Sequence, residues 1–262
     1  MTMPKFKAES GAQLFARLLK KPVIQNFYPN LFQPGLKYDD TVEIFGDKSS
    51  SYLLVDLICE ALVPSNDIES PIGVLFLNTV GLLNFKELIN ILKRKTILKN
   101  ANIANCQNEM DSIIHRTLSN FFILDIYDAT QFYTTIYNLD NILTKHQNIS
   151  LLVFDTLTAF YWSEQGFKIK KMDSYIKNVL KMIQKVTQEY KVTNIYTRPG
   201  YFSFSKNTAN QECADHHIAE GINYRVQLSD SNSSMTYQIY VNSLGSSYKK
   251  TMSIVDNEVK WH

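Results

Sequence analysis

A chain of 262 residues is long enough to bury a sizeable core and short enough for one large domain. Its 45% hydrophobic and 20% charged shares are those of an ordinary globular protein, and a net charge of +2 excludes a partner selected by overall charge, so any nucleic-acid surface has to be local. Three scattered cysteines (Cys59, Cys106 and Cys213) exclude a disulfide framework, and with no apolar leader and no run long enough to span a bilayer the expectation is a soluble intracellular protein.

In chain order, Ser10-x-x-Gln13 reads as a capping box, in which side chains satisfy the free N–H groups of a helix start. The helix it opens is expected to bury Leu14, Leu18 and Phe15. Residues 22–34, rich in proline and asparagine, read as an ordered, irregular connector. This predicts two parts: an N-terminal helix and connector over 1–35, and a core domain over 36–262.

The core opens on Val42-Glu43-Ile44-Phe45-Gly46-Asp47-Lys48-Ser49-Ser50-Ser51-Tyr52-Leu53 and an apolar helical run beyond it. An apolar strand, a glycine, small residues and a helix start make the layout of a phosphate-binding loop. In Gly-x-x-x-x-Gly-Lys-Ser/Thr the glycines let backbone N–H groups approach phosphates, the lysine reaches the outer phosphates, and the hydroxyl holds Mg²⁺. Only Gly46 remains of that set. Counting by this spacing, Ser51 takes the second glycine, Tyr52 the lysine and Leu53 the hydroxyl.

Residues 72–77 are a continuous apolar run, as expected of a strand covered on both faces. Asn84-x-x-Glu87 suggests a second capping box, followed by Phe85, Leu88, Ile89 and Leu92 at helical spacing and by Lys93-Arg94-Lys95 near the end, where cations suit the dipole. A helix over 109–118 and a strand over 121–127 come next. Asp128-x-x-Gln131 caps a helix bearing Phe132, Ile136, Leu139 and Leu143. Residues 151–154 form a fourth strand ending on Asp155. A long amphipathic helix runs from Met172 to Tyr190, and a fifth strand covers 192–197. The pattern then changes to alternation at Ile222, Tyr224, Val226 and Leu228 and at Tyr237, Ile239 and Val241, with turn-rich links at 230–234 and 256–258 around a short strand at 252–255. Such an order predicts an α/β fold with a RecA-like core: a mostly parallel sheet flanked by helices, with antiparallel strands at its C-terminal end.

Three segments carry a resemblance. They are Ala8-Glu9-Ser10-Gly11-Ala12-Gln13-Leu14-Phe15-Ala16-Arg17-Leu18, the connector Pro29-Asn30-Leu31-Phe32, and Ser150-Leu151-Leu152-Val153-Phe154-Asp155-Thr156-Leu157-Thr158-Ala159-Phe160-Tyr161-Trp162. With them the chain resembles the eukaryotic RecA-type recombinase paralogues, the third segment being similar to their Walker B strand. The resemblance implies a nuclear protein acting in homologous-recombination repair of double-strand breaks and stalled forks. It implies a heteromeric complex of paralogues in which this chain binds the D-type paralogue. That complex would assist loading of the recombinase on single-stranded DNA, with single-stranded or branched DNA as a further partner and no membrane. It also implies ATP and Mg²⁺ as ligands, from which this chain departs at the phosphate loop.

The site residues follow. Asp155 either orients Mg²⁺ through its water shell or caps the end of a buried strand. The glutamate that activates water in RecA-type ATPases falls on Val80, which cannot move a proton. With lysine, hydroxyl and base all missing, the expectation is no ATP hydrolysis and no cofactor, ATP and Mg²⁺ binding only if the degenerate site still holds them. Lys48 is either a substitute phosphate lysine or a solvated loop residue. Lys168, Lys170 and Lys171 precede a helix whose N-terminus their charge opposes, so they are candidates for DNA phosphates. Arg198, Tyr201, Phe202, Phe204 and Lys206 mix aromatics with cations, the combination used for single-strand binding, though the rings alternatively pack against the domain. Cys213, Asp215, His216 and His217 lack the four-ligand spacing of structural zinc, and no metal is expected. None of the fifteen phenylalanines has alanine three positions later. The Phe-x-x-Ala element that links recombinase protomers is therefore missing, which suits a core that receives a partner's segment without donating one. Leu14, Phe27 and Phe32 are candidates for partner contact, the alternative being intramolecular packing. The main reading is a non-catalytic paralogue subunit; the alternatives are a P-loop ATPase with an atypical loop, completed by itself or a partner, and a stand-alone single-stranded DNA-binding module.

Overall fold

A computed structural model describes residues 9–262 apart from 23, 25, 47, 64–71, 82, 100–106, 166–170, 201–219, 232–234 and 244. Helix α1 (Gly11–Leu18) leads into the connector, and β1 (Thr41–Gly46) and α2 (Lys48–Leu62) follow. Next come β2 (Gly73–Asn78), α3 (Phe85–Lys99), α4 (Gln107–Leu118), β3 (Phe121–Asp125), α5 (Ala129–Tyr137), α6 (Leu139–Lys145) and β4 (Ile149–Asp155). The chain ends with α7 (Met172–Thr187), β5 (Thr193–Pro199), β6 (Tyr224–Asp230), β7 (Thr236–Ser243), β8 (Ser246–Val255) and β9 (Glu258–Trp261).

Among the described residues these strands form one sheet in the order β3-β2-β4-β5-β1-β6-β7-β8-β9. The first six in that order are parallel, and β6 to β9 run antiparallel to one another. All seven residues of β4 are buried. The unbroken apolar runs follow from cover on both faces, because successive side chains of a strand point to opposite sides. Val74, Phe76, Leu151, Val153 and Ile195 enter one core with α2, α3 and the connector. Leu75, Leu77, Leu152, Phe154 and Tyr196 enter a second core with α5, α6 and α7. The α/β, RecA-like fold expected from the alternation is the one observed.

Four details differ from expectation. Strand β6 alternates in burial yet pairs parallel with β1 on one side, so the antiparallel ribbon starts only at its other edge. Strand β8 spans ten residues and is followed by β9, across a turn whose two residues, Asp256 and Asn257, both have positive φ. That is the backbone of the tightest hairpin turn, which the Asp-Asn pair tolerates. The single helix expected after Asp128 is divided at Asn138 into α5 and α6, although Phe132, Ile136, Leu139 and Leu143 are all buried. Finally, α1 has the predicted capping box but turns the other way. Ala16 is its buried residue, Gln13 Nε2 donates to Asp140 Oδ2 in α6 at 2.8 Å, and Leu14, Phe15 and Leu18 are 45, 60 and 71% exposed.

Candidate functional site

In an open α/β sheet the ligand crevice lies beyond the C-terminal ends of the parallel strands. Here a cavity of about 890 Å³ occupies that place. Its walls come from the ends of β1 (Gly46), β4 (Asp155, with Thr156 beyond), β5 (Thr197 and Pro199) and β6 (Asp230), from the first turns of α2, and from α3.

Among the described residues β1 is not followed by a loop of phosphate-binding length. One position, 47, separates the end of β1 from Lys48, where α2 begins, so the helix starts several residues earlier than the loop spacing predicts. A phosphate loop needs glycines for its anion-cradling turn, and Ser49-Ser50-Ser51 supply none, so the chain enters helix directly. This corrects the register. Leu53 is not at a hydroxyl position but in the second turn, fully buried in the core below α2. The residues that the first turn presents to the cavity are Ser49, Ser50 and Ser51, with Tyr52 beside them. Hydroxyls are therefore present where the spacing argument counted one as lost. Lys48 opens the helix, and its side chain lies outside the described residues. At Gly46 a Cβ would stand 3.1 Å from Leu228 Cβ on β6, closer than ordinary contact, so β6 packs tightly at this glycine.

Asp155 is buried at the end of β4, and Thr197 Oγ1 donates to its Oδ1 at 2.8 Å. The turn after it is held from the residue that follows β2, Thr79, whose hydroxyl donates to the Asp155 carbonyl at 2.8 Å and accepts from the Thr156 N–H at 2.7 Å. Burial raises the Asp155 carboxyl above its ordinary range, and the Thr197 bond only partly offsets this. The ionised form is thus disfavoured in the fold, and the stability this group contributes below its unfolded pKa is lost as pH rises through the folded one. Asp155→Asn keeps an acceptor for Thr197 and removes the charge. Its expected melting temperature at pH 7 is about 2–4 °C above wild type, the shift that about 1 kcal/mol gives a chain of this size. The advantage shrinks as pH falls toward 4; a pH-independent difference, or a less stable variant, would refute the assignment.

Among the lining residues that sequence reasoning missed are Glu87, Asp230 and Tyr237. Glu87 sits one turn into α3. Its N–H is capped by Asn84 Oδ1 at 3.4 Å, but Glu87 Oε1 is sealed from water without a hydrogen-bond partner. The capping box is therefore half made, and Glu87 is one of the residues lining the cavity. Asp230 lay in what read as a turn-rich link, and Tyr237 in an alternating strand. The three are neighbours of the sequence-predicted residues: burial, the Asp230 charge and Tyr52 together raise the Tyr237 phenol. Val80 lines the same cavity, so the position expected for a water-activating glutamate is apolar.

The charged lining residues among those described are Glu87, Asp155 and Asp230, all acidic. Among the described side chains, which do not include Lys48, no lysine or arginine joins them. The described charged side chains lack the cations that a triphosphate's charge calls for, the first turn of α2 being the source of backbone donors. Among the described residues no three His, Cys, Asp or Glu groups are placed to hold a metal ion.

Arg198 corrects another expectation. Along β5, Thr197 and Pro199 face the cavity, whereas Arg198 faces the opposite side of the sheet. There Arg198 NH1 lies 2.8 Å from Asp173 Oδ1 and 3.5 Å from Glu43 Oε1, with the guanidinium 5.6 Å from the Phe45 ring centroid. It is a buried structural cation, not an open phosphate contact. Lys171 is exposed at the head of α7. Lys168, Lys170, Tyr201, Phe202, Phe204, Lys206, Cys213, Asp215, His216 and His217 lie outside the described residues. Phe27 and Phe32 are buried in the core with α2 and β6, which removes them as partner-contact surface, and of the three candidates Leu14 alone is exposed.

No protein-family model matches the chain. Over 230 residues, covering 85% of this chain and 79% of the relative, it is 21% identical to DNA repair protein XRCC2 of Mus musculus. The resemblance carried by the N-terminal helix and the Asp155 strand is thus borne out, and the chain is XRCC2-like, with a RecA-like α/β fold.

Proposed function

We propose that this chain is a non-catalytic subunit of a recombinase-paralogue complex in homologous-recombination DNA repair, acting in the nucleus. One observation carries the non-catalytic part: where a RecA-type ATPase cradles phosphates, this chain has a helix turn of serines and three carboxylates without a described cation. The likeness to a DNA repair protein supports the process. In this reading the complex includes the D-type paralogue and assists recombinase loading on single-stranded DNA, with residues 36–262 as the core. Two surfaces support a partner-receiving role. Among the described residues strand β3 is an edge strand with one unpaired side, and such an edge accepts an added strand. The outward apolar face of α1, with Leu14, Phe15 and Leu18, is the second.

The experiment is a titration of the purified chain with a fluorescent ATP analogue and Mg²⁺, alone and with the D-type paralogue. The expected result is no saturable binding in either sample. Tight binding by the isolated chain overturns the reading, and binding only in the pair replaces it with a partner-completed ATPase.

A further inference from the structure

The cavity has a chemistry of its own once a triphosphate is set aside. Carboxylate oxygens accept hydrogen bonds and cannot donate them. Glu87 Oε1 is sealed and unpartnered, Asp155 has one described donor for its two oxygens, and Asp230 stands at the rim beside Tyr237 and Tyr52. An unpaired buried acceptor is costly, so Glu87 and Asp155 call for donors brought in from outside, and the exposed Asp230 adds negative charge beside them. The positive end of α2 opens on the same space, but its partial charge of about half a unit is small against three carboxylates.

The complement of this lining is an organic cation with several donors. The carboxylates are not grouped to share a metal ion. A guanidinium, with five N–H donors in a planar fork, spans separated acceptors and also stacks on aromatic rings. Two tyrosine rings are present for that contact, and Val55 and Ile91 extend the wall beyond them. At about 890 Å³ the space exceeds one side chain and suits a short peptide.

We infer that the cavity is a docking site for a partner protein's segment, with an arginine entering among Glu87, Asp155 and Asp230 and its apolar neighbours resting on Val55 and Ile91. The inference rests on the reading that this cavity holds no triphosphate. It converts the relic of a nucleotide site into an interaction site.

The test uses the full chain and two blocked, fluorescently labelled pentapeptides, one with arginine flanked by leucines and one with citrulline in its place, followed by anisotropy. The expected result is saturable binding of the arginine peptide, at least tenfold weaker for citrulline, and at least tenfold weaker again to Glu87→Gln or Asp230→Asn. Equal binding of both peptides, no saturable binding of either, or spermidine binding as tightly as the peptide overturns the inference. The citrulline comparison needs no mutation, so a variant that fails to fold leaves the test intact. A parallel titration with the Mg²⁺-ATP analogue separates the two claims. Saturable nucleotide binding removes the underlying reading, whereas failed peptide binding without nucleotide binding removes this inference alone.

Discussion

Replacing Glu43 with glutamine is expected to lower the unfolding free energy by about 3–5 kcal/mol, the cost of removing one partner from a buried ion pair. Glu43 is fully buried on the central strand β1, and its carboxylate is surrounded by three donors from the two neighbouring strands. Arg225 Nε from β6 stands at 2.5 Å, the Tyr196 hydroxyl from β5 donates at 2.9 Å, and Arg198 NH1 lies 3.5 Å away. Burial and the neighbouring carboxylate push the Tyr196 phenol up, so it stays protonated and keeps donating. Without the negative charge, the nearly buried Arg225 and Arg198 guanidiniums both lose an anionic partner, Arg198 keeping Asp173 at 2.8 Å. The loss is a large share of the roughly 5–15 kcal/mol that holds a typical domain together. Two companion variants rank the contacts. Tyr196→Phe removes one donor and should cost about 1–3 kcal/mol. Asp173→Asn acts on a partner whose side chain is 68% exposed, and should cost no more than about 1 kcal/mol. Urea unfolding curves give all three values. A Glu43→Gln protein within 1 kcal/mol of wild type would mean that the network is not structural, and Arg198 would again be available to DNA.

What the sequence disclosed follows from what generates each signal. The parallel strands were legible because burial on both faces makes a continuous apolar run, as in residues 151–154. The outward turn of α1 was not, because Leu14, Phe15 and Leu18 form an apolar stripe that normally marks a core face, while the contact with α6 uses Ala16 and a Gln13–Asp140 hydrogen bond. The phosphate-loop position was legible from Gly46 after a strand, but its register was not. Counting residues assumes a loop of standard length, and here the helix absorbs it. Arg198 looked like a surface cation because its partners come from strand β1 and helix α7, far away in the chain. Glu87 showed a cap signature that its backbone fulfils and its side chain does not. For α1 and Arg198 the deciding contact was a tertiary one between polar groups, which leaves no periodicity.

Phe32→Ala is expected to cost about 3–5 kcal/mol in the isolated chain, the usual penalty for emptying a buried aromatic site. Phe32 is 1% exposed, stacks on Phe27 with centroids 6.2 Å apart, and meets Tyr224 of β6 edge-on at 5.4 Å. Around it the connector is tied to several elements. Tyr28 donates to the buried Asp56 of α2 and accepts from Trp261 Nε1 of β9 at 3.0 Å, and the Tyr248 hydroxyl of β8 donates to the Leu31 carbonyl. Lys95 of α3 completes the cluster, 3.0 Å from Asp56 and 2.9 Å from Glu60. A mutation here loosens α2, and with it the serine turn that walls the cavity. Phe15→Ala is the contrast, because that ring is on the surface and its loss should change stability by no more than about 0.5 kcal/mol. The two variants therefore separate folding from assembly. In thermal melts of the isolated chain, Phe32→Ala should fall well below wild type and Phe15→Ala should match it. In affinity measurements with the D-type paralogue, Phe15→Ala should weaken binding at full stability. If Phe32→Ala instead melts like wild type and loses only the partner, then the connector is an interface element, and its packing against α2 and β6 is not what holds this end of the sheet.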